Sequence, residues 1–155
     1  MTIDSEANAL CKIPLFRGIE ATKLRLLAFI SERVRYTPGE RLCSQGEPGD
    51  SAFIILSGDA DVVVATENGD QVVAKVGAND IVGEIAILCD VPRTATLVAV
   101  SDMDVLTISK DNFLKLLKEF PEMALEVMRV LAQRLEKTTR DLGAVSAILS
   151  ERAAG

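Results

Sequence analysis

The apolar positions of this 155-residue chain change their period twice. Over 3–31 they recur at helical spacing, with Leu24, Leu27, Ala28 and Ile30 following a break at Gly18, and two or three short helices are predicted there. Over 33–109 the texture becomes short β-branched runs at 33–36, 41–43, 52–56, 60–66, 71–76, 94–100 and 104–108. Turn residues such as Pro38-Gly39, Gly58-Asp59 and Asn68-Gly69 divide them. Many short strands at close spacing predict a mainly β fold, a barrel or jelly roll. One segment, 84–88, interrupts the pattern and reads as a short helix inserted into the barrel. Ser109 is placed to cap a helix running to about Phe120, and Pro121 to open a longer one.

In that last helix Met128, Leu131, Leu135, Thr138, Leu142, Val145 and Leu149 follow a 3-4 alternation, with Thr138 the one polar member. Two readings fit the stripe. It is either the seam of a parallel homodimer over 128–149 or a face that packs on the chain's own barrel.

Length and composition fit one domain over 1–155, divided into N-terminal helices (1–32), a barrel (33–109) and C-terminal helices (110–152). The net charge of −6 opposes a large nucleic-acid footprint, which needs clustered Lys and Arg, so no DNA partner is expected. The start MTIDSEANAL has neither the basic residues nor the apolar run of a signal peptide, and no run of about 18 apolar residues could span a bilayer. A cytoplasmic protein with no membrane partner is expected. Cys11, Cys43 and Cys89 lack the number and spacing of a disulfide or zinc framework and read as free thiols. For Cys89 a redox role stands against a small packed side chain. The chain has no histidine, which removes the ligands that a metal-dependent barrel enzyme normally needs.

The segment 81–96, IVGEIAILCDVPRTAT, carries the candidate chemistry. Gly83 permits close approach of a ligand to the backbone, and the N–H groups after it can open a short helix whose positive end faces an anion. Arg93, nine residues beyond Glu84, offers permanent charge and a fork of donors. Glu84 can only accept, which suits a sugar hydroxyl. The bland alternative is a mutual surface salt bridge between Glu84 and Arg93, worth about 0 to 1 kcal/mol.

The order Gly83-Glu84-Ile85-Ala86, an apolar pair, then Pro92-Arg93-Thr94-Ala95-Thr96 resembles the phosphate-binding cassette of cyclic-nucleotide-binding domains, such as those of catabolite activator proteins and protein kinase A regulatory subunits. Pro14-Leu15-Phe16, Pro38-Gly39-Glu40, Gln45-Gly46-Glu47, Gly49-Asp50, Phe53-Ile54-Ile55 and Ser57-Gly58 fall in the same family order, so the resemblance spans about 10–142. It implies a double-stranded β-helix barrel, with Glu84 on the ribose 2′-hydroxyl, Arg93 on the phosphate oxygens, and the amides of Ile85 and Ala86 completing the anion cage. Thr94 is implied at the phosphate or at the amino group of a guanine. Thr138-Thr139 align with the two hydroxyls that meet adenine in the activator protein, one from each subunit; the alternative makes Thr138 a register device and leaves Thr139 solvated.

The implied function is a non-enzymatic sensor, binding cyclic AMP in preference to cyclic GMP, with no metal or cofactor. It would move its terminal helix on binding and signal through a protein effector. A non-binding adaptor and a receptor for a cyclic dinucleotide remain the other readings. Six residues follow Leu149, too few for a helix-turn-helix; the short acidic ends read as those of a free-standing sensor, and a regulatory fragment of a larger protein is the other reading.

Overall fold

The computed structural model describes residues 3–13, 16 and 18–154; Pro14 and Leu15 of the family-like order lie outside the described residues. Helices α1 (Ile3–Leu10) and α2 (Ala21–Ile30) come first. The strands are β1 (Glu32–Tyr36), β2 (Arg41–Cys43), β3 (Ser51–Ser57), β4 (Ala60–Thr66), β5 (Gly69–Val76), β6 (Ile81–Val82), β7 (Thr96–Ala99) and β8 (Met103–Ser109). The short helix α3 (Glu84–Leu88) sits between β6 and β7, and α4 (Lys110–Glu119) and α5 (Pro121–Ala154) follow the strands. Two antiparallel four-stranded sheets, ordered β1-β8-β3-β6 and β2-β7-β4-β5, make the expected jelly-roll barrel.

Two apolar layers hold it together, and β3 belongs to both. Phe53 and Ile55 join Leu42, Val82, Leu97, Met103 and Val105 between the sheets. Ala52 and Ile54 join Leu10, Phe16, Leu27, Leu106, Phe113 and Met123 beneath the helices. Alternate residues of a strand point to opposite faces, so a strand covered on both sides is a continuous apolar run, as 52–56 is. Burying each such side chain contributes about 1.5–3 kcal/mol, several times the about 0–1 kcal/mol of a surface ion pair.

The helix signals act as expected at one end of α4: the Ser109 hydroxyl accepts from the Asn112 N–H and caps it. Three differences from the sequence reading are physical. The strand expected from 94 begins at Thr96, because Arg93 exchanges backbone hydrogen bonds with Gly46 and Glu47 and leaves Thr94 and Ala95 facing a cavity. The two-residue strand β6 pairs with Phe53 and Ile54 and is too short to show a period. The stripe on α5 does not pack on the barrel: Leu131 is partly covered, but Met128, Leu135, Leu142, Val145 and Leu149 are exposed. Met123 and Val127 make the domain contact instead, and every described side chain of α5 from Leu135 onward is exposed.

The β2–β3 loop passes so close to α3 that a Cβ on Gly49 would lie 2.2 Å from the Ala86 Cβ. Gly49→Ala should therefore destabilise the fold by about 1–3 kcal/mol, the usual penalty for overpacking. Urea unfolding reads this as a lower midpoint; an unchanged midpoint would mean the loop swings clear of α3.

Candidate functional site

Gly83 ends β6 and caps α3 with φ 83°, the left-handed region where glycine is at ease. A Cβ there would also stand 2.7 Å from Arg93 Nη1. That nitrogen donates to the Gly83 carbonyl at 3.0 Å, while Nη2 donates to the Ser51 carbonyl at 2.7 Å and to its hydroxyl at 3.1 Å. The guanidinium lies 5.2 Å from the centre of the Phe53 ring, a cation–π arrangement, and its residue is 5% exposed. Arg93 thus clamps β3 to the cassette.

Glu84, the first residue of α3, is 1% exposed. Its partner is not Arg93: Arg134 of α5 donates to its carboxylate at 2.7 Å and to the Ile81 carbonyl at 2.7 Å. The mutual Glu84–Arg93 surface bridge is therefore not what forms; both residues are buried and each has its own partners. Burial pushes the Glu84 carboxyl above its ordinary pKa, against the pull of Arg134, its own backbone N–H and Arg93.

A cavity of about 440 Å³ opens beside these residues. Gly83, Glu84, Ile85, Ala86, Arg93 and Thr94 form its cassette side, and Thr138 reaches it from α5. The first N–H groups of a helix have no partner within it, so the start of α3 offers donors at this wall. Thr139 is exposed and does not line the cavity. Both threonine hydroxyls donate back to their own helix, Thr138 to the Arg134 carbonyl and Thr139 to that of Leu135, each at 2.9 Å. Val73 to Val76 of β5 also line the cavity. Cys43 also lines the cavity, its thiol pushed up by burial, whereas Cys89 and Cys11 are exposed, so Cys89 is not a packed side chain.

Sequence reasoning missed Arg134, Lys137 and Asp141, which share the cavity-facing side of α5 with Thr138. The signal was present: Arg134 lies four residues before Thr138, one turn away on the same face. The heptad stripe drew attention to the adjoining side, with Thr138 on the edge that the two share.

A carboxyl whose folded pKa is raised contributes stability that is full below its unfolded pKa and is lost as pH rises through the folded one. The unfolding free energy of the parent minus that of Glu84→Gln should accordingly fall as pH rises across and above the ordinary carboxylate range. Paired urea titrations check this, and a difference that grows with pH would show that the attraction of Arg134 outweighs the burial.

The family profile for the cyclic nucleotide-binding domain matches residues 33–120. The chain is 27% identical over 134 residues to a CRP-like cAMP-activated global transcriptional regulator of Mycobacterium tuberculosis, covering 86% of this chain and 60% of the relative. It is 37% identical over 113 residues to a cAMP-dependent protein kinase regulatory subunit of Mycosarcoma maydis, covering 70% of this chain and 22% of the relative. The Thermus thermophilus catabolite activator protein has the same fold with a TM-score of 0.77 at 27% identity, over 86% of this chain and 63% of that one. The chain spans less than two thirds of the length of each of these relatives. Among the described residues no helix is long and apolar enough to cross a membrane. With more than half of its length inside the matched domain and the cassette residues gathered at one cavity, the chain belongs to the cyclic nucleotide-binding domain family.

Proposed function

We propose that the chain is one regulatory module that binds a 3′,5′-cyclic purine nucleotide and converts occupancy into a movement of α5. Arg93 supplies charge for the cyclic phosphate, the N–H groups of Ile85 and Ala86 and the Thr94 hydroxyl surround it, and Glu84 accepts from the ribose 2′-hydroxyl. The cAMP-activated regulator and the cAMP-dependent kinase subunit among its relatives favour cyclic AMP. The observation that carries this reading is the burial of Glu84 and Arg93 at the wall of one open cavity. Desolvating each charge costs on the order of several kcal/mol, and both stand at the wall of an open cavity as well as holding their structural partners, which favours a ligand there over an adaptor that binds nothing. A volume of about 440 Å³ is near the small end of ligand pockets, about 300–1,000 Å³, which favours one nucleotide over a linked pair.

The coupling runs through Arg134. A ribose hydroxyl that donates to Glu84 competes with or reshapes the contact that ties α5 to the cassette. A ligand shifts a helix only by contacting its two positions differently, and this shared carboxylate is such a contact. The exposed face Met128, Leu135, Leu142 and Leu149 supports a homodimer with roughly parallel helices, and through it an effector protein. The module itself is read as a binding protein, not an enzyme.

Calorimetric titration of cyclic AMP and cyclic GMP tests the site. Arg93→Ala should lose about 3 to 5 kcal/mol of binding, about two to three decades or more in affinity, and Glu84→Ala about 1.5 to 3 kcal/mol. Arg93→Lys keeps the charge but not the fork that holds Gly83 and Ser51, and should lie between parent and Arg93→Ala. A folded Arg93→Ala that binds within about threefold of the parent would remove Arg93 from the site.

Leu142→Asp should turn the dimer into monomers while leaving the barrel intact, because Leu142 lies 64% exposed outside both apolar layers. Light scattering decides; a parent chain that is monomeric with and without nucleotide would rule the dimer out.

A further inference from the structure

We infer that the outer end of α5 carries a second association face, which joins two homodimers tip to tip into a tetramer; the inference rests on the dimer reading above. The helix changes character at Asp141. Before it, Arg129, Arg134, Glu136, Lys137 and Arg140 flank a narrow apolar seam, whereas no charged residue lies between Asp141 and Glu151. At about 100° per residue, Leu142, Ala144, Val145, Ala147, Ile148 and Leu149 occupy about 220° of the helix circumference, and all of them are exposed. A single partner helix in register covers the a and d positions, so the dimer seam leaves Ala144, Ala147 and Ile148 bare. A helix apolar over so wide an arc belongs inside a bundle.

The side-chain order of the seam points to more than two strands. Two-stranded parallel coils favour β-branched residues at a and Leu at d. From Leu135 onward α5 has the reverse, with Leu135, Leu142 and Leu149 at a and Thr138 and Val145 at d, the order that shifts preference toward larger bundles. The seam is also small. From Met128 to Leu149 it offers seven positions per chain, against about 20 to 30 residues a side in a stable interface of standard size.

Charge sets the orientation of the second pair of helices. Asp141, Val145, Ile148 and Arg152 stand at i, i+4, i+7 and i+11, one line along the helix, so an acid marks one end of the apolar face and a base the other. Upstream, Glu136 and Arg140 bind each other at 2.7 Å, yet among the described residues neither Asp141 nor Arg152 has an ion-paired partner. Parallel copies would set Asp141 on Asp141 and Arg152 on Arg152. Antiparallel copies set each acid on the other's base, at both ends of a two-fold interface. Arg140 and Glu151 stand in the reverse order at the edge of this face, and the same overlap brings them together. The face is turned roughly 80° from the seam about the helix axis, close to the right angle between the two neighbours of a helix in a four-helix bundle. An antiparallel overlap also keeps the barrels apart, because Met123 and Val127 hold each one at the base of its helix.

Light scattering of the full chain across a dilution series tests this, with Ile148→Glu, Arg152→Asp and the exchange that combines Asp141→Arg with Arg152→Asp. The parent should have the mass of about four copies when concentrated and about two when dilute. Ile148→Glu and Arg152→Asp should each stay at about two copies at every concentration, and the exchange should recover about four. All three positions are exposed and lie outside both apolar layers, so the fold is not at stake. A parent that stays dimeric when concentrated, an Ile148→Glu chain with the parent's mass, or an exchange that fails to reassociate overturns the second face and leaves the dimer standing. A parent that is monomeric throughout overturns both. A dimeric parent that sediments with vesicles of phosphatidylcholine and phosphatidylglycerol would assign the tip to a membrane surface and overturn the tetramer.

Discussion

The cavity depends on the placement of one buried guanidinium. Arg93 reaches from the end of the cassette to the Gly83 carbonyl, the Ser51 carbonyl and hydroxyl, and the face of Phe53, and so ties together segments far apart in sequence. Carbonyls shielded from water need partners, and two part-buried ones, of Gly83 and Ser51, find them in Arg93. Phe53 sits in the layer between the sheets, so the orientation of the cassette inherits the rigidity of the best-packed strand. The left-handed backbone at Gly83 is the local concession that brings its carbonyl to Arg93 without a side chain in the way.

A second tie, between Glu84 and Arg134, has a different character. It joins a residue 1% exposed to a side chain 38% exposed, at the place where α5 leaves the body of the domain. Beyond it, residues 135–154 continue the helix for about 30 Å with no buried side chain among those described. The packing of Met123 and Val127 fixes the base of that helix, and the ion pair ties it to the cassette one further step along.

Most of the architecture was legible in the sequence because it follows from periodicity and turn chemistry. The double burial of β3 appears as an unbroken apolar run, Ser109 and Pro121 mark helix starts, and Gly83 marks the turn into α3. The cassette side of the cavity was legible for a related reason: its residues are neighbours in sequence. Arg134 was not, since its partner Glu84 lies fifty residues away and a single arginine on a long helix carries no local signal. Nor could sequence tell which face of α5 meets the domain. The regular stripe at Leu135 and Leu142 looks like a packing surface, whereas Met123 and Val127 make the contact and the polar residues after them roof the cavity.

The outer strand β5 also shapes what the molecule can tolerate in a crowded solution. It has a neighbour on one side only, and every residue from Gly69 to Lys75 is exposed, including Val72 and Val73. An edge of that kind is a template for another chain's strand. The pairing with β4 slips between Val62 and Val63, opposite Ala74 and Val72, so that Val73 is an extra residue in a bulge. Bulges twist an edge and interrupt its row of backbone groups, which obstructs sheet-to-sheet growth. The bulged stretch also lines the cavity. One irregularity therefore guards against aggregation and shapes part of the cavity's lining.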